Sequence, residues 1–238
     1  LRGRDALRKD PHSIVGLLLS TDATKKLSGG IGFDQMWADN NTSNSTDYKL
    51  NFQIKFSNRF TVTSNTYFEK LTDNDQFVPS PTLNIAGRIN RKTLYTTLRA
   101  EYFVTPELSL QYYGSPYSSV GKFSKIYKVA DSKAKDPDRR YSELKYLWGY
   151  QENQYYREQG SSTIWTISKP DFNFQEFRSN FVLRWEYKAG STLYFVWSHN
   201  RSSYESEYNS AIFKSFDNLS KVTGNNALMI KFSYWFSL

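Results

Sequence analysis

From Tyr48 to Phe56 the chain reads Tyr-Lys-Leu-Asn-Phe-Gln-Ile-Lys-Phe, an unbroken alternation of apolar and polar side chains. A period of two puts successive side chains on opposite faces of a strand, so this segment predicts a β-strand with one apolar and one polar face. The pattern returns as Leu94, Thr96, Leu98, Ala100 and Tyr102 against Thr93, Tyr95, Thr97, Arg99 and Glu101. It returns again as Phe177, Ser179, Phe181, Leu183 and Trp185 against Arg178, Asn180, Val182, Arg184 and Glu186. Near the end Leu228, Ile230, Phe232, Tyr234 and Phe236 alternate with Met229, Lys231, Ser233 and Trp235. A soluble sandwich and a transmembrane barrel both alternate in this way, so the lengths of strands and links must decide between them.

Turn residues mark short links at Thr21 to Lys25, Ser57 to Arg59, Val104 to Glu107 and Lys188 to Gly190. Between them lie longer polar links: Ala38 to Thr46, Val78 to Thr82, about 115–170, and His199 to Gly224. Links that alternate between short and long are the habit of transmembrane barrels, which join strands by tight periplasmic turns and long external loops. Nine strands follow, at about Ser13–Ser20, Lys26–Trp37, Asp47–Phe56, Phe60–Phe77, Asn84–Phe103, Leu108–Gly114, Phe172–Tyr187, Ser191–Ser198 and Asn226–Ser237. Several exceed the ten or so residues that cross a bilayer at a tilt. The fold class expected is therefore all-β, a transmembrane antiparallel up-and-down β-barrel.

An odd strand count with a periplasmic C-terminus puts Leu1 outside the cell, whereas bacterial barrels keep both ends on the periplasmic side. Either a strand hides within 115–170 or the chain is the C-terminal part of a larger barrel. The opening Leu1-Arg2-Gly3-Arg4 has no initiator Met and no leader, which favours the second expectation. Residues 1–238 then form one barrel domain, with about 115–170 as a long external loop or hairpin.

Composition sharpens this picture. Aromatic residues make up 17% of the chain, with 18 Tyr, 17 Phe and 6 Trp, as expected for aromatic girdles at two lipid interfaces. The mean hydropathy of −0.65 is compatible with a barrel, which shows lipid only every second residue of a strand. No apolar run is long enough for a membrane-spanning helix. Cysteine is absent, which removes disulfides and thiolate chemistry. The net charge of +8 is spread along strands and loops rather than gathered in an arginine-rich tract, and nucleic acid is not an expected partner.

Several segments also resemble a known family. They include Leu1-Arg2-Gly3, Ser20-Thr21-Asp22 followed by Lys25-Lys26-Leu27, and Thr105-Pro106-Glu107-Leu108-Ser109-Leu110-Gln111. Further on come Pro170-Asp171-Phe172-Asn173-Phe174 with Arg178-Ser179-Asn180, then Leu183-Arg184-Trp185-Glu186-Tyr187 with Gly190-Ser191-Thr192-Leu193, and the ending Lys231-Phe232-Ser233-Tyr234-Trp235-Phe236. Together they resemble a Bacteroidota-type outer-membrane family whose C-terminal β-barrel domain, of unknown function, follows a carbohydrate-binding module of the family-nine type. The resemblance implies a bacterial outer-membrane location, and a glycan partner held by a module outside this chain.

Read as a barrel, the alternation assigns a lumen-facing polar stripe of Lys49, Asn51, Gln53, Lys55, Arg99, Glu101, Arg178, Asn180, Arg184, Glu186 and Lys231. In a water-filled pore this basic excess would favour anions; in a plugged barrel the same groups would bond to the plug. The lipid-facing set is Tyr48, Leu50, Phe52, Ile54 and Phe56, with Leu98, Phe181, Leu183 and Trp185. It continues through Leu193, Phe195, Trp197, Leu228, Ile230, Phe232, Tyr234 and Phe236. The longest link carries Tyr146, Trp148, Tyr150, Tyr155, Tyr156 and Trp165, aromatics suited to a cap, a sugar ring or a protein interface.

Catalysis is not expected. Glu101 and Glu186 could form a glycosidase pair, but Arg99 and Arg184 stand two residues away on the same face and make ion pairs the simpler reading. His12 and His199 lack further ligands at a metal-binding spacing, so no metal and no cofactor is assigned. Asp73-Asn74-Asp75 and Asp136-Pro137-Asp138 lack the EF-hand spacing and read as turn residues. Gly29-Gly30-Ile31-Gly32 lies inside a strand without a following helix, and reads as a bend or close approach of the wall rather than a phosphate loop. The function expected is a non-enzymatic outer-membrane barrel that anchors or cooperates with a glycan-binding module. A pore for anionic or saccharide solutes is the alternative, as is a subunit that meets other outer-membrane proteins.

Overall fold

Among the described residues twelve strands join in one antiparallel sheet, and nine of them form a continuous meander. The computed structural model describes residues 6–209, 212 and 215–236. Leu1-Arg2-Gly3 and the end of the ninth predicted strand at Ser237 lie outside the described residues. In chain order the elements are β1 (His12–Ser20), β2 (Leu27–Ala38), β3 (Ser43–Ser57), β4 (Phe60–Phe77), β5 (Ile85–Phe103) and β6 (Leu108–Val129). A short helix α1 (Pro137–Arg140) leads to β7 (Tyr141–Tyr150), β8 (Asn153–Glu158) and β9 (Ile164–Ser168). Then come β10 (Phe172–Lys188), β11 (Ser191–Glu205), α2 (Ser215–Lys221) and β12 (Asn225–Ser233). The meander runs β1 to β6 and on through β10, β11 and β12, while β7, β8 and β9 branch from the far end of β6.

The short turns are fixed by their own side chains. Asp22 accepts from the Thr24 amide at 2.8 Å and hydroxyl at 2.7 Å. Ser57 Oγ accepts from the amides of Arg59 and Phe60, both at 3.1 Å. Thr105 Oγ1 does the same for Glu107 and Leu108 at 3.2 and 3.1 Å. Such local bonds satisfy the backbone where the ladder ends. The β10–β11 turn instead uses Gly190 at φ 76°, a left-handed position that a side chain would strain.

Three expected links are corrected. The link His199 to Gly224 shortens to 206–224, because β11 runs on to Glu205 and pairs with β10 as far as Asn173↔Glu205. The link Ala38 to Thr46 shrinks to Asp39–Thr42, because β3 begins at Ser43 and pairs with β2 up to Trp37↔Asn44. The segment 115–170 is not a loop throughout. β6 runs on to Val129, paired with β5 as far as Ile85↔Lys128, and the rest folds as α1 and the β7–β9 branch. Its first part reads as loop because it is rich in Ser and Gly, yet those small residues serve packing. A Cβ on Gly121 would lie 2.5 Å from the Phe172 ring and 2.8 Å from Ile89.

The sheet is open rather than closed into a barrel. Among the described residues β1 and β12 are the two edges of the meander and do not pair with each other. Both edge strands start at the end that carries the long links and finish at the short-turn end, so they run in the same direction. The main apolar cluster lies away from the centre of the sheet, at the long-link end. There Val78, Ile85, Ile126, Leu144, Tyr156 and Ile167 bury one another, joined by Leu83, Phe123 and Trp165.

Candidate functional site

Residues directly opposite each other in a ladder share a face, so the register carries each side chain's orientation from strand to strand. Tyr48 pairs with Phe68 and Phe68 with Leu94; Ile54 pairs with Val62 and Val62 with Ala100. Leu98 pairs with Gly114, and across β6 the partners Tyr112↔Phe181, Leu110↔Leu183 and Leu108↔Trp185 continue the same face. It ends in the rows Phe181↔Trp197↔Leu228, Leu183↔Phe195↔Ile230 and Trp185↔Leu193↔Phe232. Leu50 and Phe52 belong to it through Ile31 and Gly29. Phe56, at a bulge, stacks on Phe60 at 5.0 Å, and Tyr234 and Phe236 follow β12 with ring centres 5.1 Å apart.

This face is largely apolar from edge to edge, interrupted by Gln35, Ser64, Thr66 and Thr96, and its large apolar side chains are exposed. Ile230 is 70% accessible on β12, and even Phe52, two strands inside the other edge, is 36% accessible. Aromatic rings concentrate in two belts. Beside the short turns run Phe56–Phe60–Tyr102 and Trp185–Tyr187–Phe232, with ring centres 5.0 to 6.0 Å apart. Toward the long links run Phe33–Tyr48–Phe68, at 5.6 and 6.2 Å. Along β3 the two belts are eight residues apart, roughly 26 Å along the strand and about 19 Å along a membrane normal at a 45° tilt.

The opposite face holds Lys49, Asn51, Gln53 and Lys55, paired with Tyr67, Asn65, Thr63 and Thr61. Arg99 and Glu101 share it, as do Arg178, Asn180, Arg184, Glu186 and Lys231. Sequence periodicity counts a basic excess there, but carboxylates it did not single out join the same face. Lys49 pairs with Asp34, Arg91 with Glu69 at 2.9 Å and Arg178 with Glu176 at 2.8 Å, while the expected pair of Arg184 with Glu186 stands at 2.9 Å. Arg99 instead lies over the Tyr113 ring, 5.2 Å from its centre. Asp34 sits opposite Gly16, where a Cβ would come within 2.3 Å of its carboxylate.

At the long-link end the segment before β1 crosses from the β2–β3 link to α1. The Arg8 amide donates to Ser132 O at 2.8 Å, and the Asp39 amide to Pro11 O at 2.9 Å. The Asp10 carboxylate accepts from Arg140 Nη2 at 2.8 Å and Nη1 at 3.2 Å, and from Thr42 Oγ1 at 2.9 Å. Arg140 is fully buried and also donates to the carbonyls of Ala134 and Lys135. Burial alone would raise the Asp10 carboxyl; the bonds from Arg140 and Thr42 outweigh it and hold the group below the ordinary carboxylate value. Lys9 bridges Asp73 and Asp75 at 3.6 and 3.2 Å, and the Tyr141 hydroxyl donates to Asp75. Asp136 caps α1 by accepting from the Asp138 amide.

The aromatics singled out in the longest link divide between two faces. Tyr146, Tyr156 and Trp165 align across β7, β8 and β9 on the side of the apolar cluster. A register shift between Tyr146 and Trp148 puts Trp148 on the other side, stacked on Tyr155 at 5.0 Å, with Tyr150 beyond it. Where β6 leaves β10 at Gly121↔Phe172 and takes up β7 at Ile126↔Leu144, a fork opens around a cavity of about 590 Å³. Asp171 lines it, accepting from the Phe123 amide at 2.7 Å, and burial pushes its carboxyl above the ordinary value against that bond. His12 and His199 stand on β1 and β11 and are not brought together; His199 bonds to Asn226 and Arg201.

The long-range contacts of the rim carried no sequence signal, since Asp10 and Arg140 lie 130 residues apart. In comparison with known proteins, a family model described as Domain of unknown function (DUF5916) matches residues 3–237. No curated protein and no solved structure matches the chain.

Proposed function

The chain belongs to this family of domains of unknown function, DUF5916, and we propose that it forms the wall of a β-barrel in a bacterial outer membrane. On this reading it is the C-terminal part of a larger barrel, without catalytic activity, that anchors or cooperates with a glycan-binding module of the same polypeptide. The observation that carries the membrane placement is the exposed apolar face, continuous over nine strands and bounded by two aromatic belts. In water such a face would be a large aggregation surface; in lipid each fully buried Leu, Ile or Phe contributes about 1.5–3 kcal/mol. The Bacteroidota origin and the glycan-binding module rest on resemblance alone.

The test is depth-resolved quenching. The full polypeptide is folded into vesicles whose acyl chains carry bromine at defined depths, with Trp185 or Trp197 as reporter after the other tryptophans are changed to Phe. Both reporters are expected to be quenched from within the acyl region. A protein that stays in the aqueous phase after the vesicles are sedimented would sink the proposal.

A pore for anionic or saccharide solutes is the second reading. It is favoured by Lys55, Arg99 and Lys231 on the polar face, which make no ion pair among the described residues. Carboxylates neutralise the other cations of that face, so any anion preference would rest on these three. Single-channel recordings in a planar bilayer test it, and an absence of conductance steps excludes an open pore.

A further inference from the structure

Apolar side chains interrupt the polar face inside the sheet, at Leu71, Ile89 and Phe103, and again beside its two open edges. On β10, β11 and β12 the row Val182↔Val196↔Met229 sits on the polar face and ends at the free edge, where Met229 is 57% exposed. On the other edge, Ile14 and Leu18 of β1 stand on that face too, opposite Met36 and Gly32 and at least 60% exposed. β1 therefore carries apolar side chains on both faces. It has no charge, proline or bulge between Ser13 and Ser20, the devices that keep a true edge strand from pairing. Unpaired backbone groups at such an edge cost several kcal/mol each in hydrocarbon. The strand has the character of an interior strand.

The directions of the edges say what fits between them. β1 and β12 run the same way, so an antiparallel neighbour of one is an antiparallel neighbour of both only when the number of intervening strands is odd. A second copy in the same membrane would present its β1 to β12 in parallel, which breaks the antiparallel pattern of such barrels.

Resting on the membrane-barrel reading above, we infer that the gap between β12 and β1 is filled by an odd number of antiparallel strands of the same polypeptide, which turn apolar side chains inward against Met229 and Leu18. The nine-strand meander then becomes part of a wall with an even strand count. The inward apolar side chains of the added strands cover the two strips and form a small packed patch on the inner wall.

The chain contains no cysteine, so an introduced pair reports without interference from residues 1–238. In the full polypeptide, in its native membrane, Leu18→Cys is combined with Met229→Cys, and Val196→Cys with Met229→Cys serves as the adjacent-strand control. The control pair is expected to oxidise to a disulfide and the edge pair to remain free, since even one added strand sets β1 and β12 roughly 10 Å apart. Short bifunctional reagents on either edge cysteine are expected to capture peptides of the same polypeptide from outside residues 1–238. Overturning results are a disulfide between positions 18 and 229, which means direct closure, or capture of a different polypeptide. Partition of the same sample into membranes is scored separately, so failure of the seam assignment is distinguishable from failure of the barrel reading.

Discussion

Leu183 is the position at which the membrane placement makes its largest energetic demand. It lies in the middle of the apolar face on β10, flanked by Leu110 of β6 and Phe195 of β11, with Ile230 next in the row. In a bilayer, Arg at such a depth costs about 2–4 kcal/mol in a barrel. Gln111 supplies the internal comparison, because it stands on the polar face of the neighbouring strand between Glu101 and Val182. Arg there meets a carboxylate and water, and is expected to change stability by no more than about 0.5 kcal/mol. If the apolar face met water instead, Leu183→Arg would cost about 1 kcal/mol or less, within the range of sheet propensities. Urea-driven unfolding from vesicles, followed by tryptophan fluorescence, measures both variants. The expected gap of about 1.5 kcal/mol or more corresponds to a factor of about 13 or more in the folding equilibrium. Equal small losses in Leu183→Arg and Gln111→Arg would refute the assignment of faces to lipid and lumen.

Arg140→Ala leaves the buried Asp10 carboxylate without its partner and is expected to cost about 3–5 kcal/mol locally, read as new protease cleavage between residues 6 and 11 while the meander stays intact. Because the Asp10 carboxyl is held low, its contribution is fully present above the ordinary carboxylate value and is lost as pH falls through the lowered one; cleavage of the wild-type segment is expected to appear only on the acid side of that window. Asp171 has the opposite sign: burial raises its carboxyl, so the ionised form burdens the fork at neutral pH and the burden is relieved on acidification. Asp171→Asn keeps an acceptor for the Phe123 amide and is expected to slow amide exchange around residues 122–126 at pH 7, whereas faster exchange contradicts the assignment. Gly190→Ala must adopt φ 76° with its Cβ 3.1 Å from Trp235, and a loss of about 1–2 kcal/mol is expected in the same urea assay. If the protein conducts, Lys55→Glu with Arg99→Glu is expected to shift the reversal potential toward cation preference, and an unchanged potential removes the second reading.

What the sequence made legible follows from the range of each interaction. Strand order along the meander and the placement of the short turns were readable because period-two alternation and side chains such as Asp22, Ser57 and Thr105 act within a few residues. β6 beyond Gly114 was not readable, because its Ser- and Gly-rich start breaks the polar–apolar alternation, whereas Gly121 makes room for Phe172 and Ile89 from neighbouring strands. The split of the external aromatics was equally hidden, since a single register shift after Tyr146 turns Trp148 away from the cluster that buries Tyr156. The charge on the polar face was misjudged for a related reason. Asp34, Glu69 and Glu176 neutralise cations on their own or a neighbouring strand, and only the register tells which carboxylate stands beside which cation. The same register also exposes what a composition count averages away: apolar side chains interrupt the polar wall inside the sheet, at Leu71, Ile89, Phe103 and Phe174, as well as at Ile14, Leu18 and Met229 on its two open edges. At the edges those exposed side chains stand beside unpaired backbone groups, and the strands proposed for the gap would cover both.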